Sequence, residues 1–324
     1  MSDPSVLCIL LNFRTPDMTL QAAEAALADL HSVGGELVIV DNASGDGSYE
    51  QITQAVAERG WGENGLVRVI ASPVNGGFGA GNNIGLAQSM SSGQAPDYFY
   101  ILNSDAFPDA GCVRGLIDHL ETHSRAGFAC SHVRGEDNVT HVSAFRFPSV
   151  AGEFVGAARL RLFERLIPDV TVVMPLPQQT MQVDWAAGAS MLVRRAMLDE
   201  IGTFDETFFL YFEETDLCLR AARAGWSCWY VMESRVVHIG SVSTGIKTKR
   251  RMPSYWYDSR RHYFIKNHGR IAAAAALAAH LAGGILHRLR TAISGRRPQD
   301  PSWFLSDMIA HATKPYRLTR EDRL

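Results

Sequence analysis

The chain contains no Cys-x-x-Cys pair. Its five cysteines, Cys8, Cys112, Cys130, Cys218 and Cys228, are odd in number and scattered. That spacing supports neither a disulfide framework nor a zinc ribbon, and it fits a reducing cytoplasm. No basic stretch precedes an apolar run at the start, where Met1 to Pro4 is polar, so no signal peptide is expected. The dinucleotide-binding fingerprint is incomplete as well. Between Asn75 and Gly85 the glycines at 77, 79 and 81 are followed by Asn82 and Ile84 where a third glycine would stand. The segment also follows the third strand instead of the first, which argues against a nicotinamide or flavin oxidoreductase.

What remains is an ordinary globular composition. Hydrophobic residues make up 46% and charged residues 20% of 324 residues, enough apolar material for a large core and no sign of global disorder. The net charge of -3 conceals a segregation: between Lys247 and Arg297 stand twelve Lys/Arg and one acid, Asp258. A basic C-terminal part suits an anionic partner such as nucleic acid, phospholipid or a pyrophosphate.

The order of elements predicts an α/β fold with a mainly parallel sheet. Val6–Leu11 reads as the first strand, and Thr15-Pro16-Asp17 as the start of a helix. Strands follow at Leu37–Val40, Val67–Ala71 and Tyr98–Leu102. Each strand runs into a polar cluster: Asn12, Asp41-Asn42, Asn75-Gly76-Gly77 and Asn103-Ser104-Asp105. Ligands of open α/β sheets bind beyond the carboxyl ends of the strands, so four such clusters describe one site assembled from several loops.

Three segments carry chemistry. Asp105 brings a carboxylate to the sheet edge, where one or two carboxylates suffice for Mg²⁺ or Mn²⁺ alongside water and phosphate oxygens. Glu213, Glu214 and Asp216 follow an aromatic run, Phe208 to Phe212, at the start of a helix expected from about Thr215 to Ala224. The helix dipole favours acids there, and a partly desolvated carboxylate can act as a general base. His238 follows an apolar strand and is either a metal ligand or a core histidine.

Together these pieces resemble glycosyltransferase family 2, in particular its bacterial rhamnosyltransferase-like enzymes. The matching motifs, in order, are Leu11-Asn12, Val40–Ser44, Asn75–Gly85, Leu102–Asp105, Val183–Ala189, Glu213–Arg220 and His238, within residues 5–245. The resemblance implies a GT-A fold and an inverting transfer from a dTDP- or UDP-sugar to a glycan or a polyprenyl-diphosphate-linked acceptor. Residues 1–125 would bind the nucleotide sugar, 126–245 would hold the acceptor and the base, and 246–324 would form a basic helical extension. Asn12, Asp41, Asn75, Gly77, Asn82, Asn83, Ser104 and Asp105 would surround the donor, with Asp41 reading the nucleobase. Asp105 and His238 would hold Mg²⁺ or Mn²⁺, and Glu214 would be the catalytic base. Trp185, Gly188, Ala189, Glu213 and Asp216 would border the acceptor.

This chain departs from the family pattern twice. Asn103 takes the first position of the Asp-x-Asp motif, which removes a charge from the metal site. Glu214 stands where aspartate is common, leaving Glu213 and Asp216 as substitute bases. Two other classes compete. A nucleotidyltransferase would carry a glycine- and arginine-rich loop after the first strand, where this chain has Asn12-Phe13-Arg14-Thr15-Pro16. A non-catalytic sugar-nucleotide or glycan-binding module would bind donor without turnover.

The extension contains Ile271–Ile285, fifteen residues interrupted by His280 and short of the roughly 20 needed to span a bilayer. Tyr255, Trp256, Tyr257, Arg260, Arg261, Tyr263, Phe264, Lys266 and Arg270 precede it; Arg288, Arg290, Arg296 and Arg297 follow. Peripheral contact with the cytoplasmic membrane face is expected, with no nucleic-acid partner. The alternatives for this helix are packing on the catalytic domain or a homodimer contact.

Overall fold

The computed structural model describes residues 4–167, 169–240, 251–295 and 300–316. Its first part alternates strands and helices: β1 (Val6–Asn12), α1 (Pro16–Leu30), β2 (Glu36–Asp41), α2 (Ser48–Glu58), β3 (Val67–Ala71), α3 (Gly77–Leu86) and β4 (Tyr98–Asn103). The apolar runs set these strands; β1, β2 and β4 stop at their polar clusters, and β3 ends at Ala71, three residues short of Asn75. Then come β5 (Ala106–Pro108), α4 (Cys112–Thr122), β6 (Ala126–Arg134), β7 (Ala144–Phe145), α5 (Val150–Ala158) and α6 (Arg161–Leu166). Next are β8 (Met181–Val183), β9 (Trp185–Ala186), β10 (Ser190–Arg194), α7 (Arg195–Ile201), α8 (Glu213–Arg223) and β11 (Ser227–His238). The chain continues to α9 (Ser254–Ile293) and α10 (Phe304–Thr313).

The main sheet has the order β3-β2-β1-β4-β10-β6-β11-β5, with β8 also on β11, and β7 pairs with β9 apart from it. Its first four strands are parallel, in keeping with the βαβ alternation. Beyond β4 the ladder is mixed, because β10 inserts antiparallel between β4 and β6. Strand alternation sends successive side chains to opposite faces. Val6, Cys8 and Leu10 therefore pack with α1 and α4, while Leu7 and Ile9 share a second core with residues of α7 and α8.

Local features aim the loops at one edge. Thr15 takes the N-cap position of α1 without a side-chain cap, and Pro16 opens the helix. Asn12 serves that turn instead, its Oδ1 accepting from Thr19 Oγ1 at 2.7 Å and from Thr15 N at 3.3 Å. The glycines of α3 act on protein packing. At Gly81 a Cβ would lie 2.5 Å from Leu11 Cδ1, and at Gly77, with φ of 87°, only 1.8 Å from the Phe209 carbonyl oxygen. Only glycine lets the 209–212 loop close over the start of α3.

The acidic helix begins at Glu213, two residues before the expected Thr215. Tyr211 and Phe212 precede it with φ of 70° and 71°, a left-handed pair that bulky residues adopt only when packing enforces it. Phe212 meets Trp256 and Tyr263 of α9, and Tyr211 and Phe209 meet Tyr255.

The expected helix at Ile271–Ile285 is part of a longer one. Helix α9 breaks into two rods at Gly269, where φ is 85° and ψ 167°. By length and composition it is long enough to cross a bilayer, which the fifteen-residue reading did not foresee. Its second rod packs along α5. Several basic residues in this helix and just before it are ion-paired within the protein: Arg251 with Asp307, Arg260 with Glu153 and Lys266 with Asp205 and Asp216. Arg296 and Arg297, with Lys247, Lys249 and Arg250, lie outside the described residues.

Candidate active site

The four strand-end clusters meet. Asn12 Nδ2 donates to Asp41 Oδ1 at 2.7 Å, and Asn42 Nδ2 donates to Asn75 Oδ1 at 3.0 Å and to the Gly77 carbonyl at 3.1 Å. Ser104 lies 3.4 Å from Thr15, hydroxyl to hydroxyl. They border a cavity of about 460 Å³ whose wall includes Asn42, Asn75, Gly77, Ser104 and Asp105 from these clusters. Phe209, Tyr211, Tyr255, His238, Glu213 and Glu214 also line it.

Not every expected donor residue reaches this cavity. Asp41 is buried, and its carboxylate accepts from Asn12, from Ser44 Oγ at 2.6 Å and from Ser44 N at 3.1 Å. It braces the loop, while its neighbour Asn42 lines the wall, its own Oδ1 buried and without a protein partner. Asn12 is fully buried beneath them. Asn82 donates to the Phe78 carbonyl, and Asn83 joins the backbone of Phe204 and the Glu206 carboxylate, so both fix α3 in place.

Asp105 and His238 come together from the β4–β5 connection and the end of β11. His238 Nε2 lies 3.0 Å from Asp105 Oδ1 and 3.5 Å from Asn103 Nδ2. Among the described residues lining the cavity there is no Lys or Arg, and three are carboxylic acids: Asp105, Glu213 and Glu214. Against these described side chains alone, a diphosphate would meet net negative charge. One carboxylate and one imidazole fit a hard or borderline divalent ion whose remaining positions are taken by water and phosphate oxygens. Among the described residues no group of three His, Cys, Asp or Glu side chains gathers into a fully protein-built site.

Glu213 and Glu214 open α8. Glu213 is 1% exposed and its Oε2 has no protein partner. Burial, then the neighbouring Glu214, pushes its carboxyl well above the ordinary glutamate range. Glu214 Oε1 accepts from the Gly188 amide at 3.3 Å, and burial raises its pKa too. A carboxyl shifted this way is closer to neutrality, where a general base works best.

Glu214 also borders a second cavity of about 470 Å³, whose wall includes Phe145, Trp185, Ala187, Tyr211 and Trp256. The Phe145 and Trp185 rings stack with centroids 4.3 Å apart. Ala189 is buried, its carbonyl accepting from the Asn103 amide. Asp216 is a correction: it is not among the residues lining either cavity and pairs with Lys266, Arg220 and Asn267. Sequence reading placed Asn42 in a strand-end cluster but gave the donor role to Asp41, and it gave Tyr211 and Tyr255 no part in this site. The left-handed turn at 211–212 has no glycine or asparagine to announce it.

A sheet whose strand-end loops enclose a polar cavity, with a carboxylate–histidine pair and an acidic helix start facing it, defines a GT-A-type glycosyltransferase. The chain belongs to glycosyl transferase family 2: residues 98–310 match the model of glycosyl transferase family group 2, and residues 17–176 that of glycosyl transferase family 2. Over 217 residues it is 30% identical to the N-acetylglucosaminyl-diphospho-decaprenol L-rhamnosyltransferase of Mycobacterium tuberculosis, covering 64% of this chain and 68% of that one. Its fold is similar to the mannosyltransferase PcManGT from Pyrobaculum calidifontis, solved with GDP-Man and Mn²⁺, at a TM-score of 0.54 and 16% identity over 96% of this chain and 86% of that one. It is also similar to GalNAc-T7, solved with UDP, GalNAc and Mn²⁺, at a TM-score of 0.57 and 13% identity, over 97% of this chain and 58% of that one.

Proposed function

We propose that this family 2 enzyme transfers a sugar, rhamnose, from a dTDP- or UDP-activated donor to a hydroxyl of a polyprenyl-diphosphate-linked glycan, with inversion at the anomeric carbon. The observation that carries the reading is the position of Glu214. It borders both the polar cavity that contains Asp105 and His238 and the aromatic cavity that contains Trp185. The rhamnosyl group and the lipid diphosphate are taken from what the mycobacterial relative's name states for that protein.

In this reading the nucleotide sugar lies in the polar cavity, with Asn42, Asn75 and Ser104 around it. Asp105 and His238 would hold Mg²⁺ or Mn²⁺. Such an ion, when bound, supplies positive charge against the diphosphate. The acceptor sugar stacks on the Trp185 face of the second cavity and brings its hydroxyl to Glu214. Glu214 takes the hydroxyl proton as the oxygen attacks the anomeric carbon, and the bond from that carbon to the diphosphate oxygen breaks on the opposite face. One displacement inverts the centre, with no covalent enzyme intermediate.

The test is to incubate the purified chain with dTDP-rhamnose, UDP-sugars and GDP-mannose, with and without N-acetylglucosaminyl-diphospho-polyprenol. Products are identified by mass spectrometry. Release of dTDP or UDP, accelerated by the acceptor and matched by a rhamnosylated lipid, is expected. Donor binding with no nucleotide release under any condition would identify a binding module instead.

A further inference from the structure

Helix α9 carries a surface for which the transfer reaction has no use. Past the break at Gly269, the outward face of its second rod is apolar along its length. Ile271 is 89% exposed, Ile285 53%, Leu289 59% and Ile293 90%, and Ala278 and Ala282 lie exposed on the same stripe. Single exposed apolar side chains are ordinary; a continuous stripe along a helix is an interaction surface. The opposite face is already in use. It packs on α5, and His280 Nδ1 lies 2.5 Å from Glu153 Oε2, a carboxylate that also pairs with Arg260.

At the head of the stripe, between the two rods and α10, lies a cavity of about 500 Å³, with Arg261, Arg270, Lys314, Tyr257, Phe264 and Tyr316 in its wall. The Arg261 guanidinium donates to the carbonyls of His311 and Lys314 at 3.1 and 2.9 Å. Among the described residues, none of Arg261, Arg270 and Lys314 forms an ion pair with a carboxylate. Cationic groups without a close ion-pair partner therefore stand beside aromatic rings at one end of an apolar stripe. An anionic amphiphile has the complementary pattern.

We propose that this cavity and stripe form a membrane-surface site. The phosphate headgroup of an anionic phospholipid sits against Arg270 and Lys314, and the stripe enters the boundary between headgroups and acyl chains. This deepens the reading of a lipid-linked acceptor and rests on it. A helix with one apolar and one occupied face lies in the interface plane. Because α5 and the His280–Glu153 pair hold the inner face, the protein gains the membrane without a span.

The experiment uses the full chain and sedimentation with vesicles of phosphatidylcholine alone or mixed with phosphatidylglycerol. Two double variants are compared with the unaltered protein: Arg270→Glu with Lys314→Glu, and Leu289→Asp with Ile293→Asp. Nucleotide release from donor without vesicles is measured in parallel for all three. Binding is expected only with phosphatidylglycerol, weakening as salt rises, and each double variant should lose at least about tenfold in partitioning. Nucleotide release should be unchanged. Equal binding to neutral vesicles, no binding at low salt, or variants that bind like the unaltered protein would overturn the proposal. So would a dimer seen by light scattering that the Leu289/Ile293 variant dissolves. If the Arg270/Lys314 variant keeps vesicle binding but fails with a soluble short-chain diphosphate acceptor, the cavity belongs to the acceptor. Absence of nucleotide release with vesicle binding intact would refute the catalytic reading and leave the surface standing.

Discussion

Lys266 and Asp216 are joined by a 2.7 Å ion pair that ties α9 to the helix carrying Glu214. Asp216 has no solvent exposure and also accepts from Arg220 Nε at 3.0 Å and Asn267 Nδ2 at 2.8 Å. The same ammonium donates to Asp205 at 2.8 Å. Burial alone would push the Asp205 carboxyl up, but hydrogen bonds from His262 and Lys266 hold it well below the usual range. Lys266→Met leaves Asp216 with two of its partners, so a loss of about 1–3 kcal/mol is expected. Urea unfolding measures it, and an unchanged midpoint would show that the pair contributes nothing.

Glu214→Gln should lower turnover by about 100-fold or more while donor affinity is kept, because the change removes proton acceptance alone. Asp216→Asn should weaken the fold and leave turnover per folded molecule within a few-fold. The reverse pattern would move the base to Asp216. Since burial raises the Glu214 pKa and the base acts deprotonated, kcat should climb with pH through an apparent pKa above the ordinary glutamate value of about 4.3. A profile already flat at pH 5 would contradict this.

Glu213 gives a stability prediction of definite sign. Its folded pKa lies above its unfolded value, so the folded state binds the proton more tightly. The stability it contributes is fully present below the unfolded pKa and is lost as pH rises through the folded one. Glu213→Gln removes that dependence. Its Tm should exceed that of the unaltered protein at pH 8, and the gap should narrow towards pH 5. A gap that is constant with pH would mean that Glu213 is not held protonated.

Asp105→Ala should abolish divalent-cation dependence and weaken donor binding together, since both depend on one carboxylate. His238→Ala should raise the cation concentration needed for half-maximal rate. Full activity in excess chelator would rule out the cation altogether. An unaltered cation titration in His238→Ala would return that histidine to a purely structural role.

Asn42 lines the cavity and its Oδ1 is buried without a protein partner, so rotation of the amide on donor binding is expected to offer that oxygen to the N3–H of a pyrimidine base. Asn42→Ala should raise the Kd for UDP or dTDP by about tenfold, near the 1.4 kcal/mol equivalent of a hydrogen bond. The unaltered chain should bind both more tightly than GDP. Calorimetric titration decides it, and tighter GDP binding would defeat the assignment.

The strands of the first half were legible because apolar runs ending in Asx residues state both the strand and its end. Val67–Ala71 agrees residue for residue, and the other three agree to within one residue at each end. Choosing between Asp41 and Asn42 was harder. Neighbours at a strand end point to opposite sides, and composition does not say which faces the ligand. Asp216 was misplaced for the helical version of the same reason: two residues on from Glu214, it lies across the helix, where Lys266 and Arg220 await it. The insertion of β10 could not be read at all. Ser190–Arg194 is a short apolar run, and nothing local tells such a run which partner it will have, or in which direction.

That insertion has a consequence for how the protein is made. A chain emerging from the ribosome completes β4 early, but its open edge is filled only by Ser190–Arg194, after β5 to β9 and their helices have been synthesised. Until then the row of free amides and carbonyls from Tyr98 to Asn103 is a template for any other nascent strand. Folding is thereby committed to a late, long-range closure, the kind of step that sets slow rates and favours aggregation. Residues 1–125 produced alone would keep that edge permanently, so the fragment should form insoluble assemblies however well its βαβ units fold.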